Sequence, residues 1–182
     1  MNIDALDKLD GKQRALFAAF QLFLQHGVDG TSIDEVVKVA AISRGGLYHH
    51  FASKDELYDA VLELYFLRGY SEFDLAVFDS LPFEAQKTTL TSAISSMFVD
   101  VTHRYGVDKA RYFALYFDSL SRSEKFRRAV QKFYANVLAA LENSAPSKQD
   151  AITFMRLVEG EIYFSTIYER TPDFTSLNPS ED

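Results

Sequence analysis

The sequence contains no cysteine. Disulfides and thiolate metal sites are therefore excluded, and we expect a protein of the reducing cytoplasm. The acidic N-terminus lacks the basic start and the apolar run of a signal peptide. The longest strongly apolar stretch, residues 15–24, is interrupted by Gln21. It falls short of the roughly 20 apolar residues that a membrane span needs, so we predict no membrane partner.

Motifs of catalysis are also lacking. The sequence has no G-x-S-x-G, no phosphate-binding G-x-x-x-x-G-K, no H-E-x-x-H and no cysteine nucleophile. Asp100 and His103 have the spacing of a metal pair on a helix, but no further ligands accompany them, and a surface or pocket role is favoured. We therefore predict no enzyme, no cofactor and no metal site.

The charge is unevenly distributed along the chain. Hydrophobic residues make up 47% and charged residues 25%, which is typical of a globular protein. The formal net charge of −7 argues against a uniformly basic surface for nucleic acid. Residues 12–54 nevertheless contain more basic than acidic side chains. A mildly basic N-terminal part on an acidic body would orient the protein toward a polyanion.

Apolar residues recur at helical spacing almost everywhere, and no period-2 pattern between hairpin turns predicts a strand. Capping residues and glycines set the expected helix ends. The expected helices span residues 12–25, 33–40, 44–50, 53–68, 82–103, 108–120, 123–142 and 147–170, while 70–81 are ambiguous. We predict an all-α fold with an N-terminal three-helix domain (1–52), a C-terminal helical bundle (53–171) and a frayed tail (172–182).

Two short helices joined by three residues form a helix-turn-helix pattern between Ile33 and His50. In the second helix, Leu47 and Phe51 share the face that would pack inward. The opposite face presents donors for phosphates or bases and two glycines that would let the backbone approach DNA. Lys54 begins the next helix, where its ammonium and the free backbone N–H groups can share a phosphate.

The pattern from Arg14 to Leu62 resembles the DNA-binding domain of the tetracycline-repressor-like (TetR) family. The run Leu47-Tyr48-His49-His50-Phe51, followed by Ser53-Lys54, is highly specific in this context. The rest of the resemblance is carried by Leu16, Ala19, Leu22, Phe23, Gly27, Thr31, Ser32, Ile33, Ile42, Ser43, Arg44, Gly45, Gly46, Asp55, Glu56 and Leu57.

The resemblance assigns DNA binding to the N-terminal helix-turn-helix domain (1–52), and ligand binding and dimerisation to the C-terminal helical bundle (53–171). It implies a homodimer that binds double-stranded, palindromic operator DNA and is released by a small-molecule effector. It implies phosphate contacts for Tyr48, His49 and Lys54, and base-facing positions for Arg44 and Gly45. The expected DNA-binding residues are Thr31, Ser32, Ser43, Arg44, Gly45, Gly46, Tyr48, His49 and Lys54.

Three residues depart from the family pattern. Ala41 stands where the turn usually has glycine, so we expect the turn to avoid a left-handed residue. Gly46 replaces a frequent threonine and removes a hydroxyl contact. Asp34 replaces a frequently basic residue, which either lowers phosphate affinity or reads a cytosine amine.

The C-terminal part is rich in aromatic residues, some of which could line an apolar ligand cavity. The expected pocket residues are Tyr65, Phe66, Phe98, His103, Tyr112, Phe113, Tyr116 and Phe117. The helix over 53–68 would transmit ligand binding to the DNA-binding domain. An apolar stripe near the C-terminus would form an intersubunit four-helix bundle with the helix over 123–142; it comprises Ala151, Phe154, Met155, Val158, Ile162 and Ser165.

Two alternatives remain open at this point. The first is a lipid- or metabolite-binding protein of the same fold that does not bind DNA, and the second is a helical enzyme with a dispersed site. The combination of Arg44, Tyr48, His49 and Lys54 favours the DNA-binding regulator, because a protein that had abandoned DNA would have little reason to keep them.

Overall fold

The all-α prediction is confirmed. The computed structural model describes residues 9–178, apart from the side chains of 98–105, and contains no strand in that range. The helices are α1 (Gly11–His26), α2 (Ile33–Ala40), α3 (Arg44–His50), α4 (Lys54–Leu62), α5 (Arg68–Glu72), α6 (Leu75–Asp79), α7 (Phe83–Tyr105), α8 (Lys109–Arg122), α9 (Glu124–Ser144) and α10 (Lys148–Ile167). A π-helical segment, Glu63–Leu67, joins α4 to α5, and a 3₁₀ turn spans Thr175–Leu177. None of the described helices is long and apolar enough to cross a membrane.

The chain forms two compact units. The first contains the residues up to Arg68 together with Arg111–Arg127, and the second contains Gly69–Ala110 together with the residues from Arg128 onward. The first unit therefore holds the whole predicted helix-turn-helix. It also includes α4 and most of α8, which the sequence placed in the ligand-binding region.

Helix α1 starts at a reciprocal cap and ends at a glycine. Asp10 Oδ1 accepts a hydrogen bond from the Gln13 backbone N–H at 2.8 Å, and the Gln13 side chain accepts from the Asp10 N–H. Such a capping box satisfies two of the donors that every helix start leaves free. Gly27 ends the helix at φ 72°, which glycine adopts without steric penalty. The predicted helix over 12–25 is thus confirmed within one residue at each end.

The turn between α2 and α3 corrects one expectation. Ala41 lies in the left-handed region, at φ 52° and ψ 46°, although the absence of glycine predicted that the turn would avoid this conformation. The Ala41 N–H donates to the Lys38 and Val37 carbonyls, and the Ile42 N–H also donates to Val37. These bonds satisfy carbonyl groups at the end of α2. Their stabilisation exceeds the steric cost of placing one alanine in the left-handed region.

Replacing Ala41 by glycine should therefore stabilise the protein. Glycine removes the steric penalty of roughly 1–2 kcal/mol, and its larger unfolded-state entropy offsets about 0.4–1 kcal/mol of that gain. We expect a net increase of about 0.5–1 kcal/mol in the free energy of unfolding, measured by urea denaturation. An unchanged or lower value would mean that Ala41 carries no strain.

Helix α4 does not end at Gly69 as predicted. It continues through the π-helical segment into α5, which ends at Glu72. The interior of the segment is fixed by packing, since Phe66 is 5% exposed and lies against Tyr112, Tyr116 and Phe126. The Tyr112 hydroxyl donates to the Tyr65 carbonyl at 3.1 Å. Tertiary contacts thus override the low helix propensity of one glycine, a weak signal on its own.

The core of the second unit lies around α9 and α10. Leu141, Ala151 and Val158 are fully buried, and Phe154 is 5% exposed in the same cluster. The stripe predicted for the dimer interface is therefore largely occupied within one chain, which is a correction: helical periodicity identifies an apolar face but not its partner.

A different face of α10 is exposed and apolar. Leu157, Tyr163, Phe164, Ile167 and the following Tyr168 are each more than half exposed. We call these five residues the C-terminal apolar strip. The aromatic rings of Phe164 and Tyr168 stack within it, with centroids 6.5 Å apart.

The described part of the C-terminal segment differs from the frayed tail predicted for 172–182. Phe174 is 6% exposed and belongs to the core cluster of the second unit. Asn178 Nδ2 donates to Thr91 Oγ1 at 2.8 Å. The polar composition of this segment predicted a frayed tail, but one aromatic side chain, Phe174, anchors it to the core.

Candidate DNA-binding surface

Helix α3 is held in place by its buried face. Leu47 is fully buried and Phe51 is 2% exposed, as their spacing predicted. Ser43 caps the helix, because its Oγ accepts from the Gly46 N–H at 2.9 Å. The cap and the buried face fix the rotation of this seven-residue helix. Its opposite side is therefore presented outward.

The outward side carries a cation and a phenol. Arg44 and Tyr48 are exposed, and the Arg44 guanidinium lies 5.8 Å from the centre of the Tyr48 ring. The pKa of Arg44 is raised, first by a side-chain hydrogen bond with Tyr48 and then by the charge of Asp34. His49 is exposed beside them. These side chains can donate to phosphates and base edges, which is the chemistry of DNA contact.

The two glycines of α3 have different surroundings. A Cβ at Gly45 would meet no other atom within 4 Å, whereas one at Gly46 would meet Ser43 Oγ at 3.2 Å. The protein itself therefore has room for a side chain at position 45. The fold does not require glycine at this exposed position. The absence of a side chain there would allow another molecule to approach the backbone closely.

Among the residues at the start of α2, Ser32 is exposed and Thr31 is not. Ser32 forms a capping box with Glu35, and the Ser32 N–H donates to Glu35 Oε2 at 2.7 Å. Thr31 is 2% exposed, and its hydroxyl donates to the Gly27 carbonyl at 2.9 Å. The side chain of Thr31, predicted to contact DNA, is thus committed to the turn between α1 and α2.

Lys54 begins α4, as predicted. Ser53 caps this helix by accepting from the Glu56 N–H at 3.1 Å. Asp55 and Glu56 lie in the first turn, where their negative charges interact favourably with the positive end of the helix dipole. Lys54 itself is partly exposed, so its ammonium can reach a phosphate beside the helix start.

Two contacts between side chains that are distant in the sequence stabilise the first unit, and the sequence did not predict them. Arg122 binds Asp29 through two hydrogen bonds of 3.0 and 2.6 Å, although the two residues are 93 positions apart. The Arg122 hydrogen bond and charge lower the pKa of Asp29. The Tyr58 hydroxyl donates to Ser119 Oγ at 2.6 Å, in a buried contact between α4 and α8. No local pattern indicates pairs that are so distant in the chain.

The predicted pocket residues are only partly brought together. Phe66 and Tyr112 are buried and in ring contact, Phe113 and Tyr116 are half-buried neighbours, and Tyr65 stacks on Phe20 at 4.0 Å. Phe117 is 60% exposed. The side chains of Phe98 and His103, and that of Asp100, lie outside the described residues. The ligand-binding role of this set remains a prediction.

A groove of about 430 Å³ lies elsewhere, in the second unit. It is lined by Tyr134, Ala135, Leu138, Ile152, Met155, Arg156 and Glu159. Burial raises the pKa of the Glu159 carboxyl, and a hydrogen bond with Tyr134 opposes that effect. The described residues contain no group of three or more acidic or histidine side chains that could hold a metal ion.

The N-terminal part of the chain is similar to known bacterial regulators. The family model for bacterial regulatory proteins of the tetR family matches residues 15–61. The HTH-type transcriptional regulator AcrR of Shigella flexneri is 42% identical over 53 residues. This match covers 29% of the chain and 25% of AcrR, so the chain spans about a quarter of the length of this relative.

Two solved structures resemble nearly the whole fold. A transcriptional regulator of Aquifex aeolicus VF5 has a TM-score of 0.59 and 25% identity, covering 93% of this chain and 94% of its own. The multidrug binding protein EbrR, solved with proflavin, has a TM-score of 0.52 and 20% identity, covering 93% and 96%. The second likeness concerns the fold alone.

Proposed function

We propose that this chain is a DNA-binding transcriptional regulator of the tetR family, because the family model matches residues 15–61 and AcrR is 42% identical over 53 residues. The observation that carries the proposal is the outward face of α3. Arg44, Gly45 and Tyr48 occupy it above a fully buried Leu47. A helix-turn-helix places such a second helix in the major groove, where its first residues reach base edges. Occupancy of a promoter by this domain would repress transcription.

The regulator acts as a homodimer in this proposal. Two copies of α3 must be about 34–36 Å apart to enter successive major grooves of a palindromic operator. The C-terminal apolar strip supports the pairing of two chains, because a contiguous patch of exposed large hydrophobic side chains marks an interaction surface. A second copy presents the same strip, and a twofold dimer can bury both.

A small-molecule effector is the third element of the proposal. The candidate pocket remains the predicted aromatic set around Phe66 and Tyr112, which are in ring contact. We expect a mostly apolar ligand, because ligand pockets are lined mainly by apolar side chains; EbrR, which shares the fold, was solved with proflavin. An effector that binds more tightly when the spacing of the two α3 helices is too wide or too narrow for the operator would lower operator affinity, and DNA would lower effector affinity by the same factor.

Phosphate contacts are tested by alanine substitutions of Tyr48 and Lys54. Each should weaken binding about equally on all DNA sequences, because phosphates carry no base information. The Lys54→Ala variant should also reduce the slope of log affinity against log salt by about 1. Lys132→Ala, which removes an exposed lysine from α9, is the matched control and should bind like the wild type. Fluorescence anisotropy with duplexes from upstream of the gene and with scrambled duplexes measures both quantities.

The same titration separates the regulator from a ligand-binding protein of the same fold. If the wild type binds upstream DNA no more tightly than a scrambled duplex at any salt concentration, the proposal of specific operator binding is wrong. If Lys54→Ala and Lys132→Ala have the same salt slope, Lys54 is not a phosphate contact.

A further inference from the structure

The exposed ion pair between α2 and α3 holds the Nη1 end of the Arg44 guanidinium. Arg44 Nη1 donates to Asp34 Oδ1 at 2.7 Å, while the two side chains are 60% and 72% exposed. The guanidinium lies over the Tyr48 ring on the same helix. An exposed pair of this kind contributes little to stability. It does restrict a long side chain that would otherwise sample many rotamers.

This arrangement leaves a usable edge of the guanidinium. Arginine has five N–H donors in a planar fork, of which the Asp34 hydrogen bond takes one at Nη1 and the hydrogen bond with Tyr48 takes one more. The edge formed by Nε and Nη2 can still donate two parallel bonds. Guanine offers two acceptors, O6 and N7, at the matching spacing in the major groove. No other base pair presents that pair of acceptors at the same place.

Asp34 also has an electrostatic effect on DNA. It places a negative charge on the exposed surface that faces the phosphates in the proposed complex, which opposes binding to any sequence. A residue that lowers general affinity while orienting a base-reading arginine increases discrimination between sequences.

We propose that Asp34 is a positioning residue that sets base specificity, by holding Arg44 so that its Nε–Nη2 edge reads one guanine in each operator half-site. The inference rests on the proposed function and assigns a role to one residue within it. Asp34 touches no base in this arrangement. Its effect passes entirely through Arg44.

The test compares the wild type with Asp34→Ala, Arg44→Ala and the double variant on the preferred duplex and on duplexes changed at each half-site position. Asp34→Ala should bind random duplexes more tightly, and its preference for guanine at one position should fall at least about fivefold. In the Arg44→Ala background, Asp34→Ala should leave base preference unchanged. Asp55→Ala removes an exposed acid from the equivalent first-turn position of α4 and should keep the guanine preference.

Three results would overturn the proposal. The first is an unchanged guanine preference in Asp34→Ala. The second is a further change of base preference when Asp34 is removed in the Arg44→Ala background, since that would show direct contact with a base. The third is an equal loss of preference in Asp55→Ala, which would attribute the effect to charge alone. Absence of specific DNA binding by the wild type would instead refute the proposed function.

Discussion

Replacing Phe164 by glutamate should convert the protein to a monomer and weaken operator binding sharply. Phe164 is 52% exposed in the middle of the C-terminal apolar strip. In a dimer that buries this strip, the substitution removes an aromatic contact and places two carboxylates in an apolar interface. Aromatic residues at the centre of an interface typically contribute about 2 kcal/mol or more. We therefore expect the dimer dissociation constant to rise at least about 30-fold.

Operator binding should fall with dimerisation, because a monomer contacts one half-site only. The control is Val77→Glu, which introduces the same charge at a valine of α6 that is 56% exposed. This variant should remain dimeric and should bind the operator like the wild type. Sedimentation velocity at micromolar concentration measures the assembly, and anisotropy at nanomolar concentration measures operator affinity. A Phe164→Glu variant that stays dimeric would show that the strip is not the interface between copies.

Replacing Gly45 by alanine should stabilise the protein and weaken its binding to DNA. Alanine is favoured over glycine within a helix by roughly 0.5–1 kcal/mol. The structure leaves space for the added Cβ, since no other atom lies within 4 Å of it. Bound DNA would occupy that space if Gly45 faces the bases. We expect operator affinity to fall by about tenfold or more, equivalent to about 1.4 kcal/mol.

The opposite signs of these two effects make the experiment decisive. Gly69→Ala is the matched control, because Gly69 is also helical and its Cβ would also meet no atom within 4 Å. It should raise the free energy of unfolding and leave operator affinity unchanged. Urea denaturation and anisotropy on the same preparations give both numbers. Wild-type operator affinity in the Gly45→Ala variant would mean that the backbone of α3 does not approach DNA closely.

The sequence was most informative where local interactions decide the structure. Ser43 and Ser53 precede helices because the side-chain oxygen of each accepts a hydrogen bond from the backbone N–H three residues later. Such a cap depends only on neighbouring residues. The inward orientation of Leu47 follows from helical spacing alone. These local rules cover α1, α2 and α3, which is why the elements of the candidate site were predictable.

Predictions were weaker where distant contacts decide. Three backbone hydrogen bonds at the end of α2, from the Ala41 and Ile42 N–H groups, hold Ala41 in a left-handed conformation that its side chain disfavours. Helix periodicity gave α10 an apolar stripe but could not show that the core of the same chain covers it. The Arg122–Asp29 pair joins residues 93 positions apart, and charged side chains alone do not indicate their partners.

The most direct test of the account is selection of binding sites from a pool of random duplexes by the purified full chain. We expect enrichment of an inverted repeat whose half-site centres are about 10 base pairs, or a multiple of that, apart. We also expect one guanine in each half-site whose enrichment disappears with Arg44→Ala. Recovery of a pool without any enriched sequence at moderate salt would contradict the claim that this surface reads DNA.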